Sequence, residues 1–560
     1  MINLQHYGHI VQTEQMDESF IRSEESRIES IRKQISEQRA ESVLERIHAR
    51  NRLIAEQRVR KLCDPETSIW FLGGFCGYAD SSVKKTEIPW QMGVICAVGT
   101  VCGRQAVIIA NDNTVAAGSW WPGTPEKIEK AQDMALRLGI PVFYLIECAG
   151  LYLPSQEQTY GSSTGAGRIF EKQAQLNRSG ILQLAAVLGD CIAGGGYLPL
   201  LCDKIVMTEQ ATICIGGTAI HTHSKGSCDQ KLGGPEIHVH QSGCVDKRVK
   251  NDLDAIAQLR EWAEIMPTSS IEFFRWDEPV EPAFDIQDLY HLIPADLSKP
   301  LDMYEVLARL VDGSQFQPLM EGIGREIIAC LAFVDGLPVV IVTNQTDTSF
   351  GKNEEIQAGS ILYQDGITKM RMIAAAARDD GIPVIWIQDV AGFDIGLDAE
   401  RRGLLKHGAM LLRELAAEDR DTAPSLTILL RKASGAGYYA MKGAPFHPAW
   451  IVGTVLTRLE VMKPEVLAGA FYDRKIARLD GSEECQQTRL KLESARQEMI
   501  EKQTLNGDCL SAAIRGDIDD IVPFCRLREL MVSFARSAYQ TGGKSRKPRR
   551  LWSILDLNET

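Results

Sequence analysis

Two glycine-rich turns, one in each half of the chain, have the residue types best suited to chemistry. The first reads A-G-G-G-Y over residues 193–197, and the second reads S-G-A-G-Y over residues 434–438. Glycine lets the backbone approach a ligand closely, and the free N–H groups at a helix start attract an anion. Such donors form an oxyanion hole, which stabilises an enolate or ureido oxygen. The predicted site residues of the two turns are Gly194, Gly195, Gly196, Tyr197, Gly435, Ala436, Gly437 and Tyr438.

A second pair of short loops could supply the other donor of each hole. A-G-L occupies residues 149–151 and A-G-F occupies residues 391–393, each just past a predicted parallel strand. Ligands of such sheets bind at the carboxyl ends of the strands. The predicted site residues here are Ala149, Gly150, Leu151, Gly392 and Phe393. The alternative for all four segments is structural, because tight turns and strand ends also need small residues.

These motifs belong to an internal repeat. Residues 139–150 read G-I-P-V-F-Y-L-I-E-C-A-G, and residues 381–392 read G-I-P-V-I-W-I-Q-D-V-A-G. Pro141 and Pro383 are 242 residues apart (383 − 141), while Tyr197 and Tyr438 are 241 apart (438 − 197). A third pair of similar runs begins at Gly103 and Gly336. Three motifs in the same order indicate the duplication of a whole domain. The presence of a glycine-rich turn in both halves favours a functional role for the turns over a purely structural one.

Apolar runs alternate with helical patterns around these motifs, which predicts an α/β fold with a largely parallel sheet. A helix is predicted over Glu126–Leu138, with Pro125 in its first turn. Further helices are predicted over Gln486–Gln503 and near Arg526–Tyr539. The predicted strands of the first half are Val94–Val98, Ala106–Ala110, Pro141–Ile146, Ile181–Leu188 and Lys204–Thr208.

The chain is expected to contain two domains with additional segments. Isoleucines at helical spacing predict an amphipathic N-terminal helical arm, which ends at Cys63-Asp64-Pro65. A proline-rich and acidic connector separates the halves. The expected boundaries are 1–64 for the arm, 65–266 for the first domain, 267–320 for the connector, 321–540 for the second domain and 541–560 for a basic tail.

Composition narrows the functional classes. A net charge of −13 argues against a nucleic-acid-binding protein. The sequence has no run of about 20 apolar residues that would span a membrane, and the polar residues 1–17 do not form a signal peptide. The 14 cysteines include no C-x-x-C pair. We therefore expect a reduced, cytoplasmic protein.

Three other motifs are assigned no catalytic role. Residues 161–165, G-S-S-T-G, match a serine hydrolase motif, but no strand leads into Ser163 as that motif requires. His221, His223, His238 and His240 form two H-x-H pairs without supporting zinc ligands, so we expect a polar or substrate-contacting loop and no metal site. A-M-K-G around Lys442 is similar to a biotin attachment sequence, but no carrier-like domain surrounds it.

Longer segments carry a family resemblance. They include R-L-I-A-E-Q-R-V-R-K-L-C-D-P-E-T-S over residues 52–68, L-G-G-P-E-I-H-V-H-Q-S-G-C-V-D over residues 232–246, and R-K-A-S-G-A-G-Y-Y-A-M over residues 431–441. With A-G-G-G-Y, these resemble the carboxyltransferase subunits of biotin-dependent enzymes, which belong to the crotonase superfamily. The resemblance covers nearly all of the chain from about Asn51. It implies duplicated crotonase-like (ClpP/crotonase) carboxyltransferase domains.

Within this family, the sequence is most similar to the alpha subunit of glutaconyl-CoA decarboxylase. A-G-S-W-W-P-G at residues 117–123 and the run from Ile382 to Glu400 carry this likeness. A-G-L-Y-L-P at residues 149–154 is more similar to the beta subunit of methylcrotonyl-CoA carboxylase. A propionyl-CoA-type carboxylase subunit is a further alternative. An alternative of another class is a catalytically silent assembly partner, against which the intact glycine turns argue.

The resemblance implies transfer of a carboxyl group between an enoyl-CoA ester and biotin, without a side-chain nucleophile. By position, Leu151 and Gly195 would hold the thioester oxygen. Phe393 and Gly437, with Ala436 as a further candidate, would hold the biotin oxygen. Biotin would arrive on a separate carrier protein, with coenzyme A as part of the substrate. The family also implies at least a homodimer, and either a membrane sodium-pump subunit, which would place the protein at the membrane periphery, or a biotin carboxylase subunit.

Overall fold

The computed structural model describes two compact units. The first unit comprises Glu29–Arg275 and Ser533–Lys547, and the second comprises Met1–Ile28, Trp276–Val532 and Pro548–Thr560. His221, His223, the start of the connector and most of the basic tail lie outside the described residues. The described residues are 3–9, 16–37, 39, 41–78, 89–216, 232–265, 275–351, 355–416, 423–479, 483–540 and 552–557.

The first unit is built on one eight-stranded sheet. Numbered along the chain, its strands are β2 (Trp70–Leu72), β3 (Val94–Val101), β4 (Arg104–Asn111), β5 (Val142–Cys148), β6 (Gln183–Ile192), β7 (Lys204–Thr208), β8 (Thr212–Cys214) and β9 (Lys247–Val249). The strands β2, β3 and β4 pair antiparallel, and every later pairing in this sheet is parallel. The central strands are buried on both faces, as their continuous apolar sequences require.

The second unit has a nine-stranded sheet and two small two-stranded sheets. The large sheet contains β1 (Gln5–His6), β10 (Gln315–Pro318), β11 (Ile327–Val334), β12 (Leu337–Asn344), β16 (Val384–Val390), β18 (Ser425–Ser434), β19 (Trp450–Gly453), β20 (Arg458–Glu460) and β21 (Asp520–Ile521). The small sheets pair β13 (Ser349–Phe350) with β14 (Ile356–Gln357), and β15 (Ile361–Leu362) with β17 (Gly392–Phe393).

Helices cover both sheets. Those of the first unit are Glu41–Ala49, Ala55–Leu62, Thr124–Leu138, Gln156–Thr159, Gly167–Arg178, Gly194–Leu200, Pro235–His240 and Asp252–Ile265. Those of the second are Leu289–Leu292, Met303–Ala308, Gln364–Asp380, Leu397–Arg401, Leu404–Leu415, Gly435–Ala440, Pro464–Ala477, Glu483–Asn506, Cys509–Arg515 and Trp552–Asp556. Met16–Glu37 and Leu527–Tyr539 cross the boundary between the units. Within the described residues, no helix is both long and apolar enough to cross a membrane.

Apart from β1, which has no counterpart among the described residues of the first unit, the two large sheets have the same strand order. Strands β2 to β9 correspond one by one to β10, β11, β12, β16, β18, β19, β20 and β21, with the same parallel or antiparallel sense at each pairing. The ladders even shift register at equivalent places, between Ile146 and Cys148 in β5 and between Gln388 and Val390 in β16. These positions differ by 242 residues (388 − 146), the spacing of the sequence repeat. The predicted duplication is therefore visible in the backbone.

The elements predicted around the first site are present with small changes at their ends. Strand β7 has the predicted bounds, and β3, β4 and β6 each continue beyond theirs. The helix Thr124–Leu138 begins two residues before the predicted start, because Gly123 at φ 89° allows the chain to turn into it. Gly139, at φ 71°, ends it.

The predicted N-terminal arm is helical, but it is divided into Met16–Glu37, Glu41–Ala49 and Ala55–Leu62. One break lies at Asn51, whose φ of 53° cannot continue a right-handed helix. Three of the isoleucines at helical spacing, Ile28, Ile35 and Ile47, are buried, as expected for an amphipathic helix.

Lys369 in the helix Gln364–Asp380 gives a pH dependence to the stability. Burial of the ammonium group lowers the pKa of Lys369 to about 8, from 10.5 when exposed. Between pH 8 and 10.5, Lys369 binds more protons in the unfolded chain than in the folded chain. The free energy of unfolding therefore increases as pH rises through this window and decreases as pH falls through it. Relative to Lys369→Met, the wild type should therefore gain stability from pH 8 to 10, by at most about 1.4 kcal/mol per pH unit. Urea unfolding at several pH values measures this, and a constant difference would contradict it.

Candidate active site

The first glycine turn lies at the carboxyl end of β6. The strand ends at Ile192, Ala193 adopts φ 51° and ψ −118°, and the helix Gly194–Leu200 starts directly afterwards. This backbone conformation is rare for a residue with a side chain, and it reverses the chain sharply between strand and helix. Within the described residues, the Gly194 and Gly195 N–H groups donate no hydrogen bond. They are therefore free to bind an anion.

Gly195 lies directly against the end of β5. A Cβ placed on Gly195 would be 2.4 Å from the carbonyl oxygen of Cys148 and 2.8 Å from the Cys148 Cβ. The neighbouring loop is equally close, because a Cβ on Gly150 would be 3.2 Å from the Ile192 oxygen and 3.9 Å from the Ala193 Cβ. The two loops of the predicted first site therefore contact each other.

The backbone of Leu151 is held from one side by Trp120. Trp120 donates its N–H to the Gly150 carbonyl at 2.9 Å and accepts the Tyr152 N–H at 2.9 Å. Successive N–H groups of an extended chain point to opposite sides, so the Leu151 N–H faces away from Trp120. Among the described residues, the Leu151 N–H has no acceptor. Leu151 and Gly195 can therefore both serve as backbone donors.

The second glycine turn repeats this arrangement at the end of β18. Gly435 has φ 54°, and the helix Gly435–Ala440 starts there. A Cβ on Gly437 would be 2.6 Å from the Val390 Cγ2 and 3.3 Å from the Gly392 Cα. Gly437 therefore lies against the end of β16 and the A-G-F loop, as Gly195 lies against the end of β5.

Phe393 is held in the same way as Leu151. It pairs with Leu362 in the small parallel sheet of β15 and β17, and Asp394 donates its N–H to the Leu362 carbonyl at 3.0 Å. Because the Asp394 N–H points toward Leu362, the N–H of the preceding residue, Phe393, points to the opposite side of the chain. The Phe393 ring packs against Gly408, where a Cβ would be 2.8 Å from the ring.

The structure also corrects the pairing of the two turns by one residue. The positive φ angles fall on Ala193 and Gly435, which are 242 residues apart (435 − 193). The same offset pairs Tyr197 with Tyr439, and both rings are exposed, at 55% and 44%. Tyr438 is only 8% exposed, and its hydroxyl accepts the Ala444 N–H at 2.9 Å. Tyr438 is therefore packed inside the second unit, and Tyr439 is the exposed tyrosine at the position equivalent to Tyr197.

At the residue where the strand turns into the helix, neither glycine turn carries a nucleophilic side chain. Ala193 stands at the strained strand-to-helix position that holds the nucleophile in serine hydrolases, and Gly435 is its equivalent. Cys148 lies beneath Gly195, but burial raises the pKa of the Cys148 thiol to about 12, which keeps it protonated and unreactive. The turns can therefore stabilise charge through their backbones, and neither Ala193 nor Gly435 offers a group that could attack a substrate.

The structure describes Ser163, His238 and Lys442, which belong to the motifs that the sequence analysis assigns no catalytic role. Ser163 lies in an exposed loop after the helix Gln156–Thr159. The two ring nitrogens of His238 lie 2.8 Å from the Ile213 carbonyl and 3.1 Å from the Ser242 hydroxyl. No cluster of His, Cys, Asp and Glu within the described residues is arranged to hold a metal ion. Lys442 is buried, and its ammonium group donates to the Leu415 carbonyl at 2.8 Å.

The chain is similar in sequence to known proteins, and its fold is similar to a solved structure. Residues 46–551 match the family described as "Carboxyl transferase domain". The chain is 29% identical to the glutaconyl-CoA decarboxylase subunit alpha of Acidaminococcus fermentans, over 88% of this chain and 86% of that protein. It is 33% identical to a biotin-dependent 3-methylcrotonyl-coenzyme A carboxylase beta1 subunit of Mycobacterium tuberculosis, over 75% and 76%. The fold is similar to the beta subunit of P. aeruginosa geranyl-CoA carboxylase, with a TM-score of 0.80, 21% identity and 96% coverage of both chains.

Proposed function

This chain belongs to the carboxyl transferase family, and we propose that it moves a carboxyl group between a glutaconyl-CoA-like enoyl-CoA ester and the biotin of a separate carrier protein. The observation that carries this proposal is the pair of equivalent backbone sites, one in each unit. Each combines a glycine at a helix start with a neighbouring loop N–H. Backbone donors of this kind stabilise a developing oxyanion.

In the first site, the N–H groups of Leu151 and Gly195 would hold the thioester oxygen of the CoA ester. As the carboxyl group leaves the carbon conjugated to the thioester, negative charge moves onto this oxygen. Two preorganised donors stabilise that charge without moving, which lowers the barrier. Gly194, Gly196, Ala149 and Gly150 would line this hole, and none of them has a side chain larger than a methyl group.

In the second site, the N–H groups of Phe393 and Gly437, with Ala436 beside them, would hold the ureido oxygen of biotin. Bound biotin supplies the nitrogen that accepts or releases the carboxyl group. Two features support this assignment: Gly435 and Gly437 have no side chain that could obstruct such a ring, and the turn meets the A-G-F loop closely, since a Cβ on Gly437 would lie 3.3 Å from the Gly392 Cα. A fixed ureido oxygen orients the neighbouring nitrogen toward the transferred carboxyl group.

Exposed apolar side chains beside both turns support a homodimer or a larger assembly. Tyr197 and Ile215 are exposed near the first turn, and Ile395, Leu405 and Tyr439 are exposed near the second. Apolar surface of this kind marks interaction sites. We propose that the first unit of one protomer faces the second unit of its partner, and that a sodium-pump or biotin carboxylase subunit completes the complex.

The choice of substrate is decided by transfer to free biotin from a panel of carboxylated CoA esters. Glutaconyl-CoA, 3-methylglutaconyl-CoA and methylmalonyl-CoA represent the decarboxylase, the methylcrotonyl-CoA-type carboxylase and the propionyl-CoA-type carboxylase. We expect the highest kcat/KM with glutaconyl-CoA. A preference for either other ester would assign that alternative, and no transfer from any ester would favour the silent assembly partner.

The purified chain should carry no covalent biotin. Lys442 occupies the position that is similar to a biotin attachment site, but it is 9% exposed and its ammonium group is hydrogen-bonded inside the second unit. A biotin ligase could not reach it in the folded protein. Avidin blotting beside a biotinylated carrier domain tests this directly, and a signal on the chain would overturn the assignment of biotin to a separate protein.

A further inference from the structure

One buried lysine occurs at the same place in both units. Lys127 and Lys369 are separated by the repeat offset of 242 residues (369 − 127), and both are almost completely buried. They lie in the equivalent helices Thr124–Leu138 and Gln364–Asp380. At the aligned positions of the first helix, only this lysine and the alanine at 135 and 377 are identical. The lysine has been retained while its neighbours have changed.

The two ammonium groups donate to equivalent backbone carbonyls, each in the sheet of its own unit. Lys127 Nζ donates to the Val94 oxygen at 2.8 Å and to the Gln91 oxygen at 3.0 Å. Lys369 Nζ donates to the Ile327 oxygen at 2.7 Å. Val94 and Ile327 are the first residues of the equivalent strands β3 and β11. Each lysine therefore fixes the first turns of its helix to the sheet edge at which the site lies.

A second link beside each lysine has different chemistry in the two units. In the first unit, Trp121 donates its N–H to the Thr124 hydroxyl at 2.8 Å, and that hydroxyl donates to the Met92 carbonyl. The equivalents of Trp121 and Thr124 are Tyr363 and Gly366, each 242 residues further along.

In the second unit, Glu326 performs this linking role. Its Oε1 accepts the N–H groups of Tyr363 and Gly366, each at 3.1 Å. A Cβ on Gly366 would be 2.2 Å from that oxygen, so the carboxylate occupies the space that a side chain would fill. Both units therefore have a link at this place, although different groups form it.

These links end at the residues that hold the backbone donors. In the first unit, Trp121 follows Trp120, which hydrogen-bonds to the residues on both sides of Leu151. In the second unit, Tyr363 follows Leu362, which pairs with Phe393. A shift of either helix would therefore move the donor of its site. A buried ammonium is costly compared with an apolar side chain, so stability alone does not explain its retention in both units.

We propose that Lys127 with Thr124, and Lys369 with Glu326, are positioning residues for the Leu151 and Phe393 donors respectively. We call each of these residue pairs a brace. The inference rests on the proposed function, since it assigns each brace to the binding site of one of the two substrates. The braces act through the backbone and touch neither substrate.

The test compares Lys127→Met with Lys369→Met in transfer from the preferred CoA ester to free biotin. Lys127→Met should lower kcat by about 10- to 100-fold and raise the KM for the CoA ester, because misplacement of a contact by about 1 Å has effects of this size. Its KM for biotin should stay within about twofold of the wild-type value. Lys369→Met should lower kcat similarly but raise only the KM for biotin.

Variants of the neighbouring residues separate positioning from stability. Ile128→Ala and Met370→Ala remove buried side chains at equivalent positions next to the lysines, and they should lower Tm while leaving both KM values unchanged. Glu326→Ala should reproduce Lys369→Met even if that variant does not fold, and Glu326→Gln, which keeps an acceptor oxygen, should recover most of the activity. If the lysine variants change kcat and both KM values no more than Ile128→Ala and Met370→Ala do, the positioning role is wrong. If the wild type transfers no carboxyl group to biotin, the proposed function fails first, and the inference fails with it.

Discussion

Gly195→Ala is expected to lower the rate of carboxyl transfer by about 10²–10³-fold, the usual consequence of losing one oxyanion donor. The added Cβ would lie 2.4 Å from the Cys148 carbonyl oxygen. That oxygen belongs to the backbone of a buried strand and cannot rotate away, so the Gly195 N–H must move. A larger residue, as in Gly195→Val, should displace the turn further. Steady-state kinetics with the preferred CoA ester measure the effect.

Gly167→Ala is the matched control in the same unit. A Cβ on Gly167 meets nothing within 4 Å, and its φ lies outside the positive range. The control should therefore keep wild-type kinetics. Gly195→Ala with unchanged turnover and an unchanged fold would contradict the assignment of Gly195 as a donor.

Gly437→Ala is expected to abolish most transfer to biotin while CoA-ester binding survives. Here the added Cβ would lie 2.6 Å from the Val390 Cγ2, which belongs to a side chain. The clash can therefore be relieved by a second change, unlike the clash at Gly195. In Gly437→Ala/Val390→Ala, removal of both Val390 γ-carbons makes room for the new methyl group, and much of the activity should return.

The Val390→Ala single variant and Gly322→Ala, whose Cβ would meet nothing within 4 Å, serve as controls. Isothermal titration with the CoA ester separates binding from transfer. If Gly437→Ala weakened CoA-ester binding and left the KM for biotin unchanged, the two units would have to exchange roles.

The glycine turns and the strands around them were predictable because local chemistry determines them. Ala193–Tyr197 needs small residues and follows a long apolar run, which is visible without the fold. The sequence pairs Tyr197 with Tyr438, whereas the structure pairs Tyr197 with Tyr439. The two motifs look alike when their identical residue types are aligned, but that alignment is out of step with the backbone by one residue. The positive φ angles of Ala193 and Gly435, which are 242 residues apart, fix the offset between the two turns.

Other parts of the site could not be predicted because their signals are too short or too ordinary. Strands β15 and β17 have two residues each, which is too few for any periodicity. Lys127 and Lys369 lie in amphipathic helices, where a lysine normally faces solvent. The one available signal was the identity of these lysines at the 242-residue offset, in helices that otherwise differ.

Formation of carboxylated biotin by the purified chain, with glutaconyl-CoA and free biotin as the only substrates, tests the central claim most directly. If two backbone sites perform the transfer, a label in the glutaconyl-CoA carboxyl group should appear on biotin in step with crotonyl-CoA. Gly195→Ala and Gly437→Ala should each suppress that transfer. Release of the label without any need for biotin, or full transfer by both glycine variants, would contradict the claim.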